Sequence, residues 1–466
     1  MSDPRALCEG VVPLRGRLEP WHEELASKPD LVEAWLEEHG SPVNLIDPGP
    51  MGRNAAELAA PAAERDVAFR IFFARKANKA LALVDEAKRL GHGVDVASER
   101  ELRQVLDRGL DPADVIVTAA VKPAHLLEQC IESGTAVAID NRDELSLLRD
   151  LAAGAGRAAR IAPRMAPRPA TGRAPTRFGM EAGEIRSALE PRGAARIEVL
   201  GLHFHLDGYD ASERVVAIGE SIRLIDELRD DGHEPGFLDI GGGVPMSYLA
   251  SDEEWSGFWA EHSRAQAGER DEITFDGHAL GPVYPYSQSP VRGEWLARIL
   301  DASLHTGSVA DALRARELEL RCEPGRALLD GCGMTVARVE FRKQRSDGTW
   351  LIGLAMNRTQ VRSTSDDFMV DPLLLRPSGA DEPTEQIEAY LVGAYCIERE
   401  LLSWRRFSFL EGVAVGDLVA FPNTAGYLMH ILESASHQIP LARNLVVAGA
   451  DARLDAIDAP PASKRG

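Results

Sequence analysis

The chain has 466 residues, of which 44% are hydrophobic and 27% are charged, a composition typical of a globular protein. Its net charge of −21, from 73 acidic and 52 basic residues, argues against nucleic acid and anionic membranes as partners, because both need a basic surface. The sequence has no apolar run of about 18 residues, no N-terminal signal pattern and no CxxC pair, which predicts a cytoplasmic protein without a membrane span, a disulfide framework or a metal site.

The first 49 residues form a separate N-terminal segment. It contains one predicted helix, DLVEAWLEEH (30–39), which ends at Gly40, a residue suited to a helix C-terminus. The run VNLID (43–47) is a predicted short strand.

From residue 68 onward, short apolar runs alternate with longer amphipathic segments. The eight predicted strands are AFRIFFAR (68–75), GVDVA (93–97), DVIVTA (114–119), AVAID (136–140), RIAPRMA (160–166), VLGLHFH (199–205), FLDI (237–240) and LELRC (318–322). Helical segments such as KALALVDEAKRLG (79–91) and RVVAIGESIRLIDELRDDG (214–232) lie between them. This alternation predicts a parallel sheet, and eight strands predict a closed (β/α)8 barrel over residues 50–317 with its last strand just beyond. An open, doubly wound sheet is the alternative.

The stretch between the seventh and eighth strands, 244–317, is too long for one connection. We interpret it as an insertion carrying a lid or an interface element, with a helix at RGEWLARILDASL (292–304). After residue 330 the strands MTVARVEFRKQ, TWLIGLAM, EAYLVGAYC and DLVAFPN predict a β-rich domain, so that 318–455 holds the last barrel strand and then this domain. Residues 456–466 are predicted to be a flexible tail, because ADARLDAIDAPPASKRG lacks a packing pattern.

Polar residues stand at the carboxyl ends of the predicted barrel strands, where barrels of this kind assemble their chemistry. They are Lys76, Asp95, Arg164, His203, His205, the run Gly241-Gly242-Gly243, and Glu323-Pro324-Gly325-Arg326. Each one alone is consistent with a turn or with packing. Their coincidence at one rim predicts a functional site.

These residue types meet the requirements of one cofactor. Three glycines before a helix let backbone N–H groups approach a phosphate, and the phosphate sites of such barrels follow strands seven and eight. A lysine at the rim can form a Schiff base with an aldehyde. A carboxylate such as Glu323 can keep a pyridine nitrogen protonated. Together these features predict pyridoxal 5′-phosphate.

The sequence also resembles a known family, the barrel-type pyridoxal-phosphate-dependent decarboxylases of ornithine, diaminopimelate and arginine, which share the alanine racemase-like fold (fold type III). The matching strings are HGSPVNLID, FFARKANKA, GVDVASERELRQVL, PRMAP, TRFGM, GLHFHLDGY, FLDIGGGVP, CEPGRALLDG, VGAYC and VGDLVAFPNTAGYLM. They occur in the family's order over roughly residues 40–440. The resemblance implies a barrel plus a C-terminal all-β domain that includes the N-terminal segment, and a homodimer with shared active sites.

The resemblance also implies roles for individual residues. Those implied to bind the cofactor are Lys76, Asp95, His205, Gly241, Gly242, Gly243, Glu323, Gly325, Arg326 and Tyr427. Those implied to bind substrate are Arg164, Arg326, Arg362, Ile397, Glu398 and Tyr427. Lys76, His205 and Cys396 are implied to be catalytic, with Cys396 delivering a proton in the partner subunit's site.

Two departures from the family pattern concern the substrate and the phosphate. Asp207-Gly208 follows the second histidine where the family has Gly-Ser, and Ile397 stands where the family has an acid that recognises a distal amine. The expected reaction is α-decarboxylation of diaminopimelate, ornithine, lysine, arginine or a modified derivative. Racemisation or epimerisation is an alternative, but racemases of this fold have an arginine in place of Glu323. A non-catalytic cofactor-binding protein is a further alternative, although such homologues lack the β-domain.

Overall fold

The computed structural model describes residues 4–168, 174–189, 196–305, 307–363, 368–380, 383 and 385–459. The strands are β1 (Cys8–Gly10), β2 (Val43–Ile46), β3 (Phe69–Ala74), β4 (Gly93–Val96), β5 (Val115–Val117), β6 (Ala136–Ile139), β7 (Ala159–Pro163), β8 (Ile197–Val199), β9 (Gly201–His203), β10 (Phe237–Asp239), β11 (Ser303–Leu304), β12 (Gly307–Ser308), β13 (Glu319–Cys322), β14 (Gly333–Gln344), β15 (Trp350–Leu354), β16 (Leu373–Leu375), β17 (Ile387–Val392), β18 (Phe407–Phe409), β19 (Leu418–Pro422), β20 (Arg443–Ala448) and β21 (Asp451–Leu454). The helices are α1 (Pro20–Ala26), α2 (Pro29–His39), α3 (Pro50–Ala63), α4 (Leu81–Arg89), α5 (Glu99–Asp107), α6 (Ala124–Ser133), α7 (Arg142–Ala155), α8 (Ala182–Ala188), α9 (Ala211–Asp230), α10 (Asp252–Gln266), α11 (Arg292–Asp301) and α12 (Val309–Arg314). No helix in these ranges is long and apolar enough to cross a membrane.

The eight predicted barrel strands are confirmed, and they form one parallel sheet. Its order is β8, β7, β6, β5, β4, β3, β13, β10, β9. The sixth predicted strand occurs as two pieces, of which β8 pairs with β7 and β9 pairs with β10. A parallel bridge between Arg164 and His203 brings the two ends of the sheet together. The closed barrel is therefore favoured over the open sheet.

Five barrel strands, β4, β5, β6, β9 and β10, are buried along their whole length, as strands of parallel sheets with helices around them often are. In β3, Phe72 packs in a small cluster with Ile116 and Phe237, whereas its neighbours Ile71 and Phe73 belong to the large core. Successive side chains of a strand point to opposite faces. The side chains of Ile71 and Phe73 therefore pack on one face of the sheet and that of Phe72 packs on the other. The strand ends two residues before Lys76.

The interpretation of 244–317 as one insertion needs a correction. Its predicted helix is present as α11, but α11 packs against α3 and α9, and its Trp295, Leu296 and Ile299 are buried. Two short strands and α12 follow before the last barrel strand. Because α11 and α12 belong to the helices around the barrel, only residues 244–291, which include α10, are an addition to the barrel.

The N-terminal segment belongs to the β-domain, as predicted. β2 lies between β14, with which it is antiparallel, and β20, with which it is parallel. The remaining strands of this ten-stranded sheet are β1, β15, β16, β17, β18, β19 and β21. The two ends of the chain therefore meet in one sheet.

The strand just before the predicted tail was not predicted, and the first residues of the predicted tail contact the β-domain. β21 pairs with β20, the Asp455 side chain is buried, and Asp458 accepts a hydrogen bond from the backbone N–H of Asn444 at 2.7 Å. The alternation in DARL was too short to be recognised as a strand. Residues 460–466 lie outside the described residues.

His22 gives the fold a pH dependence. The ring is fully buried in α1, and burial lowers its pKa to about 3. Because the unfolded chain takes up a proton near pH 6.5 and the folded chain does not, the free energy of unfolding falls as the pH drops below 6.5. His22→Gln, whose amide oxygen can still accept the Glu19 N–H bond made by His22 Nδ1, should remove about 1.4 kcal/mol per pH unit of this slope between pH 6 and pH 4.

Urea unfolding at several pH values, followed by tryptophan fluorescence, measures this slope. The matched control is His125→Gln, because the His125 side chain is mostly exposed. Equal slopes for the wild type and His22→Gln would contradict the prediction.

Candidate active site

Lys76 lies on a short 3₁₀ turn, Arg75–Ala77, that follows β3 at the mouth of the barrel. Its Nζ lies 3.2 Å from Oδ2 of Asp95, which β4 supplies from the next strand. The Asp95 charge raises the pKa of Lys76 above its ordinary value. The Lys76 side chain keeps 36% of its surface exposed, whereas Asp95 is buried. The amine is therefore held by a buried carboxylate and is still open to the mouth.

Asp95 is held in turn by Thr118, whose hydroxyl donates to Oδ1. Burial raises the pKa of Asp95, the nearby Glu323 raises it further, and Lys76 opposes both effects. Loss of the Lys76 charge would therefore favour proton uptake by Asp95.

Arg164, His203 and Glu323 form a buried chain of hydrogen bonds. Nε of Arg164, which can only donate, lies 3.2 Å from Nδ1 of His203. The proton of the neutral imidazole must then be on Nε2, which donates to Oε1 of Glu323 at 3.1 Å. Burial lowers the pKa of His203 well below its ordinary value and raises that of Glu323. This chain fixes the orientation of the Glu323 carboxyl group.

Asp239 is a buried acid that the sequence analysis did not select. Its Oδ1 accepts the N–H of Gly241 at 2.9 Å, and its Oδ2 has no hydrogen-bond partner among the described residues. One carboxylate oxygen of Asp239, one of Glu323 and one ring nitrogen of His203 lie within 4.8 Å of one another. Burial and the nearby Glu323 raise the pKa of Asp239 well above its ordinary value. Its position in FLDIGGG, at the end of a barrel strand, was the signal available in the sequence.

The three glycines after β10 line a tight turn. Gly241 and Gly243 have φ values of 65° and 77°. A Cβ atom on Gly241 would lie 2.6 Å from the carbonyl oxygen of Phe204, and one on Gly243 would lie 2.2 Å from a guanidinium nitrogen of Arg214. The turn therefore requires glycine at both positions.

His205 lies at the opening of the barrel, half-buried. Burial and the charge of Lys76 lower its pKa to about 3, so its ring is neutral. Its ring meets Phe178 edge-on, with 5.9 Å between ring centroids. Beside it lies a cavity of about 740 Å³ that Arg177 and Asp207 also line. The Asp207 that departs from the family pattern therefore borders this cavity.

Arg326 is surrounded by aromatic rings. It donates to the Tyr248 hydroxyl and to the Ser363 hydroxyl, each at 2.9 Å. Its guanidinium carbon lies 4.2 Å from the ring centroid of Tyr284 and 5.2 Å from that of Tyr427. Tyr248 and Tyr284 come from the extra segment 244–291, so this segment shapes the surroundings of Arg326. Neither tyrosine was selected from the sequence.

Tyr427 and Gly325 join the Lys76 turn to the β-domain. The backbone N–H of Tyr427 donates to the carbonyl of Ala77 at 2.8 Å. A Cβ atom on Gly325 would lie 2.6 Å from the Tyr427 hydroxyl and 2.9 Å from Cβ of Ala77. Both predicted residues are therefore at the barrel mouth beside Lys76.

The structure does not bring Cys396, Ile397 and Glu398 to the mouth of their own barrel. They lie on an exposed loop after β17, and Cys396 is an exposed thiol. Arg362 is buried and donates to the carbonyl of Leu401. It precedes Ser363, the partner of Arg326.

Comparisons with known proteins agree on one family. Residues 55–274 match the family model described as "Pyridoxal-dependent decarboxylase, pyridoxal binding domain". The chain is 34% identical over 429 residues, 91% of each chain, to a Sinorhizobium fredii protein named "Uncharacterized protein y4yA". It is 26% identical over 376 residues to the diaminopimelate decarboxylase of Pseudomonas aeruginosa, covering 77% of this chain and 76% of that one.

Solved structures share the fold. The diaminopimelate decarboxylase of M. jannaschii, in complex with L-lysine, aligns with a TM-score of 0.68 and 18% identity over 91% of both chains. The lysine/ornithine decarboxylase of Vibrio vulnificus, in complex with putrescine, aligns with a TM-score of 0.66 and 17% identity over 93% of this chain and all of that one.

A barrel mouth with a lysine, a glycine turn and a buried carboxylate, joined to a β-domain, defines the fold type III class of pyridoxal-phosphate enzymes. Within that class, the chain belongs to the family of pyridoxal-dependent decarboxylases. It is an amino-acid decarboxylase, and its cofactor is pyridoxal 5′-phosphate.

The residues at the mouth fit this cofactor. The turn after β10 carries no side chain that would block a phosphate from the backbone N–H groups of Gly242 and Gly243, whereas the N–H of Gly241 bonds to Asp239. Lys76 offers an accessible amine for an aldehyde. Glu323 offers a buried, oriented carboxyl group for a ring nitrogen.

Proposed function

We propose that this site removes the α-carboxylate of an amino acid whose side chain is larger than, or modified from, that of a simple diamino acid. The observation that carries the proposal is the accessible Lys76 amine, 3.2 Å from buried Asp95, at the same barrel mouth as the glycine turn and Glu323. Pyridoxal phosphate supplies an electron sink for the pair left behind when CO2 departs.

The protein residues hold this cofactor and control its protonation. Lys76 is the residue that binds the aldehyde, and Asp95 stabilises the charge on its nitrogen. Gly241, Gly242 and Gly243 would hold the phosphate, and neutral His205 would contact the ring. Glu323, oriented by His203 and Arg164, would pair with the ring nitrogen, where a carboxylate favours the protonated ring over the neutral one.

Arg326 and Ile397 support the assignment of the substrate. Arg326 offers a cation for a carboxylate of the substrate, and Tyr427 lies beside Arg326. Ile397 offers no charge to a distal ammonium group. These features favour a modified derivative of ornithine, lysine, arginine or diaminopimelate as the substrate, rather than one of these amino acids in its unmodified form.

Incubation of the holoenzyme with a panel of amino acids tests the proposal, with CO2 release and mass spectrometry of the products as readouts. The panel contains ornithine, lysine, arginine, diaminopimelate and derivatives acylated on the distal nitrogen. We expect CO2 release from a derivative to exceed that from the parent amino acid. Rapid turnover of unmodified ornithine or lysine would contradict the substrate assignment, and no CO2 release from any amino acid would contradict the function.

We further propose that the active enzyme is a homodimer in which Cys396, Ile397 and Glu398 act in the partner's site. Their exposure on a loop outside their own barrel mouth supports this arrangement. Cys396 would deliver a proton to the product carbon, a role that needs a thiol within hydrogen-bond reach of it.

Tyr248→Phe removes one hydrogen bond from the Arg326 guanidinium without changing the shape of the ring. A hydrogen bond to a charged group contributes about 1.5–3 kcal/mol. We therefore expect the KM for the substrate found in the panel to rise roughly ten-fold, with kcat changed less.

Tyr390→Phe is the matched control for this variant, because Tyr390 lies on β17 of the β-domain and packs on Phe275, away from Arg326 in the described contacts. Steady-state kinetics of both variants separate the effect on KM from that on kcat. An unchanged KM in Tyr248→Phe would contradict the role given to Arg326.

A further inference from the structure

The helix that follows the Lys76 turn does not cap its own start. α4 begins at Leu81, and the residue before it, Ala80, has no capping side chain. The first turn of α4 also contains no acidic residue. The first N–H groups of a helix have no partner within the helix, so they need one elsewhere.

Asp455 provides that partner from the other end of the chain. Its Oδ1 accepts the N–H of Leu81 and its Oδ2 accepts the N–H of Ala82, both at 2.9 Å. Leu81 and Asp455 are 374 positions apart in the sequence. The Asp455 side chain is buried, and a carboxylate at a helix start is favoured by the helix dipole. The contact therefore ties the end of β21 to the segment that carries Lys76.

A second contact holds the same segment. The backbone N–H of Lys79 donates to Nδ1 of His430 at 3.3 Å. The proton of the neutral ring is then on Nε2, which donates to Oδ1 of Asn444 at 2.9 Å. Asn444 in turn donates to Asp458. Burial lowers the pKa of His430 to about 3, so its ring is neutral at ordinary pH.

We propose that Asp455 is a positioning residue for Lys76, acting by capping α4. The segment from β3 to the start of α4 is thus contacted by Asp455, at the end of the β20–β21 hairpin, and by His430, which bonds to Asn444 of β20. That segment in turn presents the Lys76 amine to Asp95 and the barrel mouth. The inference rests on the proposed role of Lys76 as the residue that binds the cofactor aldehyde.

Loss of the cap should act on Lys76 more than on the barrel. Without the carboxylate, the first turn of α4 frays, and Lys76 lies only five positions before Leu81. A reacting group that spends less time in its productive position reacts more slowly in proportion. The barrel strands keep their own hydrogen bonds, so the folded protein persists.

The variants Asp455→Ala and Asp455→Asn test the proposal against Asp451→Ala. Asp451 is an exposed aspartate on the same hairpin and is the matched control. Asparagine keeps one acceptor oxygen for one of the two N–H groups, so it should restore part of the effect. All variants are studied as full-length protein.

Two measurements are made on each variant. The first is hydrogen exchange of the peptide covering 76–84 in the cofactor-free protein. The second is the rate at which added pyridoxal phosphate becomes bound, trapped at timed intervals by borohydride reduction and located by peptide mass spectrometry. We expect Asp455→Ala to exchange roughly ten-fold faster at this peptide and to bind cofactor roughly ten-fold more slowly, with Asp455→Asn between it and the wild type.

The outcomes separate this inference from the proposed function. If pyridoxal phosphate is trapped on Lys76 and the binding rate in Asp455→Ala equals that of the wild type, only the positioning role of Asp455 is overturned. Equal slowing of cofactor binding in Asp451→Ala overturns that role as well. Label on another lysine overturns the role of Lys76 itself. If Asp455→Ala does not fold, the same measurements on Asp455→Asn decide, and wild-type values there overturn the inference.

Discussion

Lys76→Ala is expected to lose the covalent bond to the cofactor and to reduce turnover by at least about 1,000-fold. The physical reason is the position of the amine, which is accessible at the barrel mouth and lies 3.2 Å from Asp95. In the variant, Asp95 keeps only the Thr118 hydroxyl as a side-chain donor among the described contacts. Its pKa, already raised by burial and by Glu323, should rise further. The measurements are the visible absorption of the bound cofactor and the CO2 release assay.

Two other lysines near the rim provide controls for this result. Lys79 pairs with Glu433, and Lys122 pairs with Glu144 in a fully buried contact. Lys79→Ala removes a nearby cation and should keep the covalent bond. Borohydride reduction followed by peptide mass spectrometry shows which lysine is modified. A modified lysine in the Lys76→Ala protein would contradict the assignment.

A heterodimer of Lys76→Ala and Cys396→Ala is expected to regain about half of the wild-type activity per dimer, since one of its two shared sites is intact. Each variant alone should be almost inactive, Lys76→Ala for the reason above and Cys396→Ala because it lacks the proposed proton donor, at a cost of about 100-fold or more. Cys396 lies on an exposed loop, so its replacement should leave the fold unchanged. Co-expression with two different affinity tags isolates the heterodimer.

The same experiment distinguishes the two possible locations of Cys396. If the thiol served the site of its own chain, every site of the heterodimer would carry one lesion, and no activity would return. Size-exclusion chromatography with light scattering establishes whether the variants are dimers. A monomeric, fully active wild type would contradict the shared site.

The local sequence was sufficient to predict the barrel strands. Most of these strands, such as β6 and β10, are short runs buried on both faces, and amphipathic helices separate the runs. Lys76 and Glu323 were found because each follows directly after such a strand. The strand β21 was missed because four residues with alternating exposure, DARL, carry too little pattern.

Residues that act through distant partners were not predictable in the same way. Asp239 is the last residue of β10, and its grouping with His203 and Glu323 depends on β10 lying between β9 and β13 in the sheet. Tyr248 and Tyr284 lie in a segment without a recognisable motif and matter because they reach Arg326.

The sequence by itself determined the order of strands and helices, the place of the lysine and the glycine turn, and the family. These properties depend on periodicity and on motifs of a few neighbouring residues, which the chain displays directly. Only the tertiary structure decided which partners hold the site, among them His203 for Glu323 and Asp455 for the start of α4. Such pairs join residues more than a hundred positions apart, and their energy depends on geometry that appears only after the barrel closes and both chain ends enter the β-domain.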